Sequence, residues 1–285
     1  MSEELRRPVL DNHLHLDPDH GRGLEAVEEF ARVGGTHLLV VNKPSWHLGV
    51  AAGEDGREGF EAVFERTLEI VEAASDLLPG RAWAILGVHP GLVSRLVEDG
   101  HSGAEAETIM KTGIDTAAGY VADGRALGLK SGRPHYEVPE GVWEASNAVM
   151  RRAFERAADL ECAVQLHTEA SEDLTEVAAW AEEAGLPAHR VVKHYASGRL
   201  EGVTPSVMCE RDWLLEAADR GEPFLMETDF IDDPDRPGAV LGPKTVPRRV
   251  AWLLEEGHEA AVETAHVETP KRVYGIDTVG TLESP

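Results

Sequence analysis

Apolar residues along the chain come in short runs, and these alternate with longer stretches whose apolar positions recur every three or four residues. Eight runs read as strands: "PVLDNHLHL" (8–16), "THLLVVNKP" (36–44), "RAWAILGVHP" (81–90), "RALGLKSG" (125–132), "CAVQLHTE" (162–169), "RVVKHYAS" (190–197), "VTPSVMC" (203–209) and "PFLMETDF" (223–230). Several are near-continuous in apolar character, as parallel strands buried on both faces are. Helical periodicity falls between them, at 23–33, 57–78, 103–122, 139–160, 171–184, 210–220 and 243–256. In the fourth of these, Val149, Ala153, Phe154, Ala157 and Leu160 share one face, and Arg151, Arg152, Glu155 and Arg156 largely turn away. Gly34, Gly185, Gly221 and Gly257 stand where helices should stop.

Eight strand-like runs separated by helices predict an α/β fold, a (β/α)8 TIM-type barrel forming a single domain over residues 1–285. The seventh run is the least strand-like because it contains Pro205. The alternative is an open doubly wound sheet. That fold usually carries a glycine-rich phosphate loop after its first strand, and neither GxGxxG nor GxxxxGK followed by Ser or Thr occurs.

Composition narrows the picture. Hydrophobic residues make up 42% of the chain, enough for a large core. No run approaches the roughly 18 apolar residues of a membrane span. The start "MSEELRRPVL" lacks an apolar signal core, so a cytoplasmic location is expected. The two cysteines, Cys162 and Cys209, form neither a disulfide framework nor a zinc-finger pattern.

Charge changes the picture more. The chain has 52 Asp and Glu against 27 Lys and Arg, a formal net of -25, and only six lysines. An acidic, lysine-poor surface over an ordinary apolar fraction is expected of a salt-adapted, halophilic protein; an acidic protein of ordinary salt is the alternative. In dilute buffer such a surface repels nucleic acid. In molar salt the Debye length falls to about 3 Å and the repulsion is screened, so charge alone does not exclude a nucleic-acid substrate.

The polar residues at the strand ends carry the chemistry. The first run ends in His13 and His15, the third in His89, the fourth in Lys130, the fifth in His167, the sixth in His194 and the eighth in Asp229. In a barrel these ends open onto one face, where active sites lie. His13 and His15 differ by two, so both point to one side of their strand, spaced to offer two imidazoles to one metal ion. Nitrogen ligands with a carboxylate suit zinc, manganese, iron or cobalt better than calcium. "HEAAV" at 258–262 lacks the second histidine of a zincin motif.

This order resembles the amidohydrolase superfamily of metal-dependent hydrolases, with HxH on strand one, Lys or Glu on strand four, His on strands five and six, and Asp on strand eight. Within it, "DNHLHLD", "GVHPG", "SGRPHY", "QLHTE", "KHYA", "ETDFIDD" and the terminal "HVETPKRVYGI" are similar to an archaeal branch of the TatD-related hydrolases. TatD-type DNases carry a Glu after strand four; Lys130 stands there instead, as in phosphotriesterase-like and dihydroorotase-like relatives.

The resemblance implies a binuclear centre. One ion would take His13, His15 and Asp229, the other His167 and His194, with Lys130 carboxylated by CO2 bridging both. A metal-bound hydroxide would attack a phosphoester bond, and Asp229 would act as the catalytic proton acceptor. His89, Arg133, His135, Tyr136 and Lys43 are candidate substrate contacts, and the positive charge of Arg133, Lys43 and His135 favours a phosphoester. Lys193, the residue before His194, is expected on the opposite side of its strand. The competing readings are a cyclic amidase or lactonase, favoured by Lys130, and a non-catalytic metal-binding barrel. Expected partners are a small molecule, a nucleotide or a nucleic-acid end as substrate, no membrane, and self-association into a homo-oligomer left open.

Overall fold

The computed structural model describes residues 7–49, 56–235 and 240–283. Nine parallel strands form one sheet in the order β8-β7-β6-β5-β4-β3-β2-β1-β9. They are β1 (Leu10–His15), β2 (His37–Val41), β3 (Ala82–Gly87), β4 (Gly128–Gly132), β5 (Ala163–His167), β6 (Val191–Ala196), β7 (Thr204–Met208), β8 (Leu225–Glu227) and β9 (Phe230–Ile231). The first eight are the eight expected runs. Pro205 does not prevent β7; it sits in register with Lys193 of β6.

β8 and β9 are one strand broken at Thr228 and Asp229. Its first part pairs with β7 and its second with β1, which closes the ring. The seven expected helices are present: α1 (Leu24–Arg32), α2 (Gly56–Leu77), α4 (Gly103–Ala122), α5 (Glu140–Asp159), α6 (Thr175–Glu183), α7 (Arg211–Arg220) and α8 (Thr245–Glu255). Gly34, Gly185, Gly221 and Gly257 all take positive φ at the ends of their helices, a conformation that carries almost no penalty only in glycine. The sequence did not announce α3 (Gly91–Glu98) or the C-terminal helices α9 (Glu259–Glu263), α10 (Thr269–Tyr274) and α11 (Gly280–Glu283). These are one to two turns long, too short to display a period.

Most of the core lies between the strands and the helix ring, where Phe30, Phe64, Phe154, Leu86 and Val164 are buried. Inside the ring, Leu10, Leu39, Val41 and Ile85 pack against Ile276, and Ala163, Val192 and Leu225 pack against Val273. The segment after α9 therefore plugs the N-terminal end of the barrel. The C-terminal end is left for polar side chains. Among the described residues, no helix is long and apolar enough to cross a membrane.

Candidate metal centre

Alternation along each strand decides which side chains enter the barrel. On β5, Ala163, Gln165 and His167 face in while Val164 and Leu166 pack outward. On β1 the pairing with β2 shifts between Asp11 and Leu14, and a shift of this kind re-aims side chains. Asn12 and His13 therefore both reach interior partners, and Leu14 packs outward.

The strand-one histidines are buried and fixed. His13 Nδ1 lies 2.6 Å from Gln165 Oε1, and His15 Nδ1 lies 2.8 Å from the Val41 carbonyl oxygen. Both partners only accept, so both rings carry their proton on Nδ1 and leave Nε2 bare. The two bare nitrogens are 3.3 Å apart, and each is 3.8 Å from Asp229 Oδ1. Ligands about 2.0–2.1 Å from a tetrahedral ion lie about 3.3 Å from one another, so these three donors fit one divalent ion with a small contraction. His194 belongs to the same group: its ring stacks on His13 at 4.0 Å, and His13, His194 and Asp229 bring ligand atoms within 4.8 Å of each other.

The remaining imidazoles form a chain. His167 Nδ1 is 2.8 Å from His194 Nε2, and His167 Nε2 is 2.7 Å from His135 Nδ1. His194 Nδ1 stands 3.4 Å from Glu227 Oε1. Burial, reinforced by neighbouring cations, holds His13, His89, His167 and His194 well below the ordinary histidine value and His15 at about 3. They are neutral and able to donate lone pairs.

Lys130 Nζ is 3.4 Å from His13 Nε2. Burial pulls its ammonium down from 10.5 to about 7, against the opposing pull of Asp229 and Glu227. Lys130 thus meets the histidines and Asp229 where the strand pattern predicts.

Of the candidate substrate contacts, His89 and His135 line the site: the His89 ring is 4.6 Å from His167 and 5.7 Å from Trp46. Tyr136 is exposed and bonds Ser94 Oγ at 3.0 Å. Lys43 and Arg133 are not open cations. Lys43 Nζ donates to Asp17 Oδ2 at 2.7 Å and to the Asp232 carbonyl at 2.9 Å. Arg133 grips both carboxylate oxygens of Glu169 and lies 4.5 Å over Trp143. Sequence alone could not reveal these pairings, because the partners come from other strand ends. Lys193 is buried and shares the outward side of β6 with Val191, 3.4 Å from the His194 carbonyl.

Three supporting residues lay one strand step below the expected ligands: Asp11, Gln165 and Glu227. The QxH and ExD spacings of β5 and β8 carry the signal, since residues two apart share a side. Asp11 Oδ2 accepts from Thr228 Oγ1 at 2.7 Å and its Oδ1 from Thr228 N at 3.1 Å. This pins the break in the eighth strand, where Asp229 takes φ 47°, a left-handed conformation that Asp tolerates. Burial raises Asp11 to about 7, partly opposed by the Thr228 hydrogen bonds, and raises Glu227 well above the ordinary carboxyl range.

Among known proteins, an uncharacterized protein of Methanocaldococcus jannaschii is 36% identical over 282 residues, covering 95% of this chain and 96% of that protein. The crystal structure of a TatD homolog from Escherichia coli superposes with a TM-score of 0.64 at 17% identity, covering 94% of this chain and 98% of that one. A lactonase from Listeria monocytogenes gives 0.61 at 13% identity, with 95% of each chain covered. At such identities the two structures speak to the fold alone. The pattern that defines the TatD related DNase family matches residues 10–275, and the chain belongs to that family.

Proposed function

We propose that this chain is a metal-dependent hydrolase that cleaves a phosphoester bond at the mouth of the barrel. One observation carries the metal-dependent reading: His13 Nε2, His15 Nε2 and Asp229 Oδ1 stand 3.3–3.8 Å apart with both imidazoles locked as lone-pair donors; membership of the TatD related DNase family favours the phosphoester bond. Zinc is the favoured ion, with manganese, cobalt and iron as alternatives, and when bound it supplies an acidified water and polarises the scissile bond. His13, His15 and Asp229 would hold one ion and His167 and His194 a second. Lys130, carboxylated by CO2, would supply the anion between them. A buried amine held near 7 is partly neutral at physiological pH, as reaction with CO2 requires. Asp229 would accept a proton from the attacking water and return it to the leaving group. His89 and His135 border the space a substrate enters.

A second reading, hydrolysis of a lactone or cyclic amide, has its own observation. Lys43 and Arg133, which would otherwise meet a phosphate, are already neutralised by Asp17 and Glu169. An uncharged carbonyl substrate needs no such counter-charge. Metal-loaded protein assayed against phosphodiesters, nucleotides, DNA ends, lactones and cyclic amides separates the two. Turnover of the phosphoester set, abolished by chelation and by His13→Ala, is expected. Turnover of the carbonyl set alone selects the second reading, and no metal-dependent turnover of either class refutes both.

A further inference from the structure

His13 serves a cation only if Nε2 is bare, and residues outside the ligand group make that choice. Its Nδ1 faces Gln165 Oε1 at 2.6 Å. A primary amide has one accepting and one donating end. The donating end of Gln165 gives hydrogen bonds to the Asn12 carbonyl oxygen and to the Tyr274 phenol oxygen, both at 2.9 Å. Tyr274 in turn donates its own proton to Asn12 Oδ1 at 2.9 Å, and Asn12 Nδ2 donates to Ser206 Oγ at 2.9 Å.

Each link runs one way. A backbone carbonyl only accepts, so the Asn12 carbonyl favours the Gln165 nitrogen on its side, and the Tyr274 phenol is the second acceptor there. A phenol whose proton is committed to Asn12 can only accept from Gln165. Turning the Gln165 amide over would set its oxygen against the Asn12 carbonyl and leave the phenol oxygen facing an acceptor. Gln165 Oε1 is therefore presented to His13, which must answer with Nδ1–H. Its Nε2 is left as a lone pair toward His15 and Asp229.

Tyr274 is the last residue of α10, in the plug at the far end of the barrel. Its ring packs with the interior apolar residues, a place phenylalanine would fill equally well. Its hydroxyl is spent on this network. We propose that Tyr274 is a positioning residue: through Gln165 it holds His13 in the tautomer that frees Nε2 for a cation. The inference rests on the metal-binding reading above and adds that the C-terminal plug governs the readiness of a ligand.

The test uses the full chain with 15N-labelled histidine. In metal-free wild type near pH 7.5, His13 should show one neutral tautomer, protonated at Nδ1. Tyr274→Phe should show a mixture and bind zinc or cobalt about 3- to 10-fold more weakly, somewhat less than the loss usual for a direct partner of a ligand. Gln165→Met, similar in size but unable to accept the Nδ1 proton, should weaken binding about 10- to 100-fold. Tyr120→Phe removes a phenol that bonds Glu65 at 2.9 Å and should change neither property. An unchanged tautomer and affinity in Tyr274→Phe overturns the proposal, whatever Gln165→Met does. If Tyr274→Phe fails to fold, an unchanged tautomer in Gln165→Met overturns it instead. If wild type binds no divalent ion, the functional reading falls, while the tautomer in metal-free protein still decides this one.

Discussion

Lowering the pH should unfold the metal-free protein abruptly, and its buried histidines set the range. His13, His15, His37, His89, His167, His194 and His266 are all depressed below the ordinary 6.5, each chiefly by burial, His37 to about 4 and His15 and His266 to about 3. A histidine whose native value is depressed takes up its proton only on unfolding. Between pH 6.5 and about 4 the unfolded chain therefore binds more protons, and stability falls as the pH is lowered. Asp11, raised to about 7, and Glu227, raised well above its ordinary value, work the other way, because they hold protons in the native protein that the unfolded chain has already released. Lys130 adds little slope here, since its penalty is nearly complete once the pH is below 7. Near pH 5.5, about six protons taken up by histidines less about two from the carboxyls leave a net uptake of about four, or about 6 kcal/mol per pH unit. Against a total stability of about 5–15 kcal/mol, the native state should be lost near pH 5. Denaturant midpoints followed by circular dichroism from pH 8 to pH 4 give the slope directly, and added zinc should move the acid midpoint lower. A net uptake of one proton or fewer, or a native signal surviving at pH 4, would refute the reasoning.

Three further outcomes follow from named contacts and charges. With a net charge of -25, the melting temperature should rise from dilute buffer into molar KCl, and a flat or falling curve removes the salt-adaptation reading. Asp232 accepts hydrogen bonds from the backbone N–H groups of Asp17, Arg22 and Gly23 at 2.7–3.1 Å, so Asp232→Ala should cost about 3 kcal/mol in urea unfolding; a loss under about 0.5 kcal/mol contradicts this. Lys130→Ala should lower bound metal measured by atomic emission, and bicarbonate should aid metal loading of the wild-type apo-protein but not of the variant; equal metal content in both removes Lys130 from the centre.

The sequence by itself determined the barrel and which polar residues gather at its mouth. Short, near-continuous apolar runs and helices of period 3.6 are local properties, and in a ring of parallel strands every C-terminal end reaches the same face. Reading the last polar residue of each run therefore found His13, His15, Lys130, His167, His194 and Asp229 without coordinates. Only the tertiary structure decided what those residues are next to. The pairing of Arg133 with Glu169 and of Lys43 with Asp17 joins side chains from different strand ends, and no local pattern records such a contact. The same holds for Tyr274, whose hydroxyl meets residues 109 and 262 positions away in the chain. The break at Thr228 and Asp229 likewise arises because Asp11 on the neighbouring strand captures Thr228. Periodicity fixes which way a side chain points; which hydrogen-bond partner waits there depends on closing the ring.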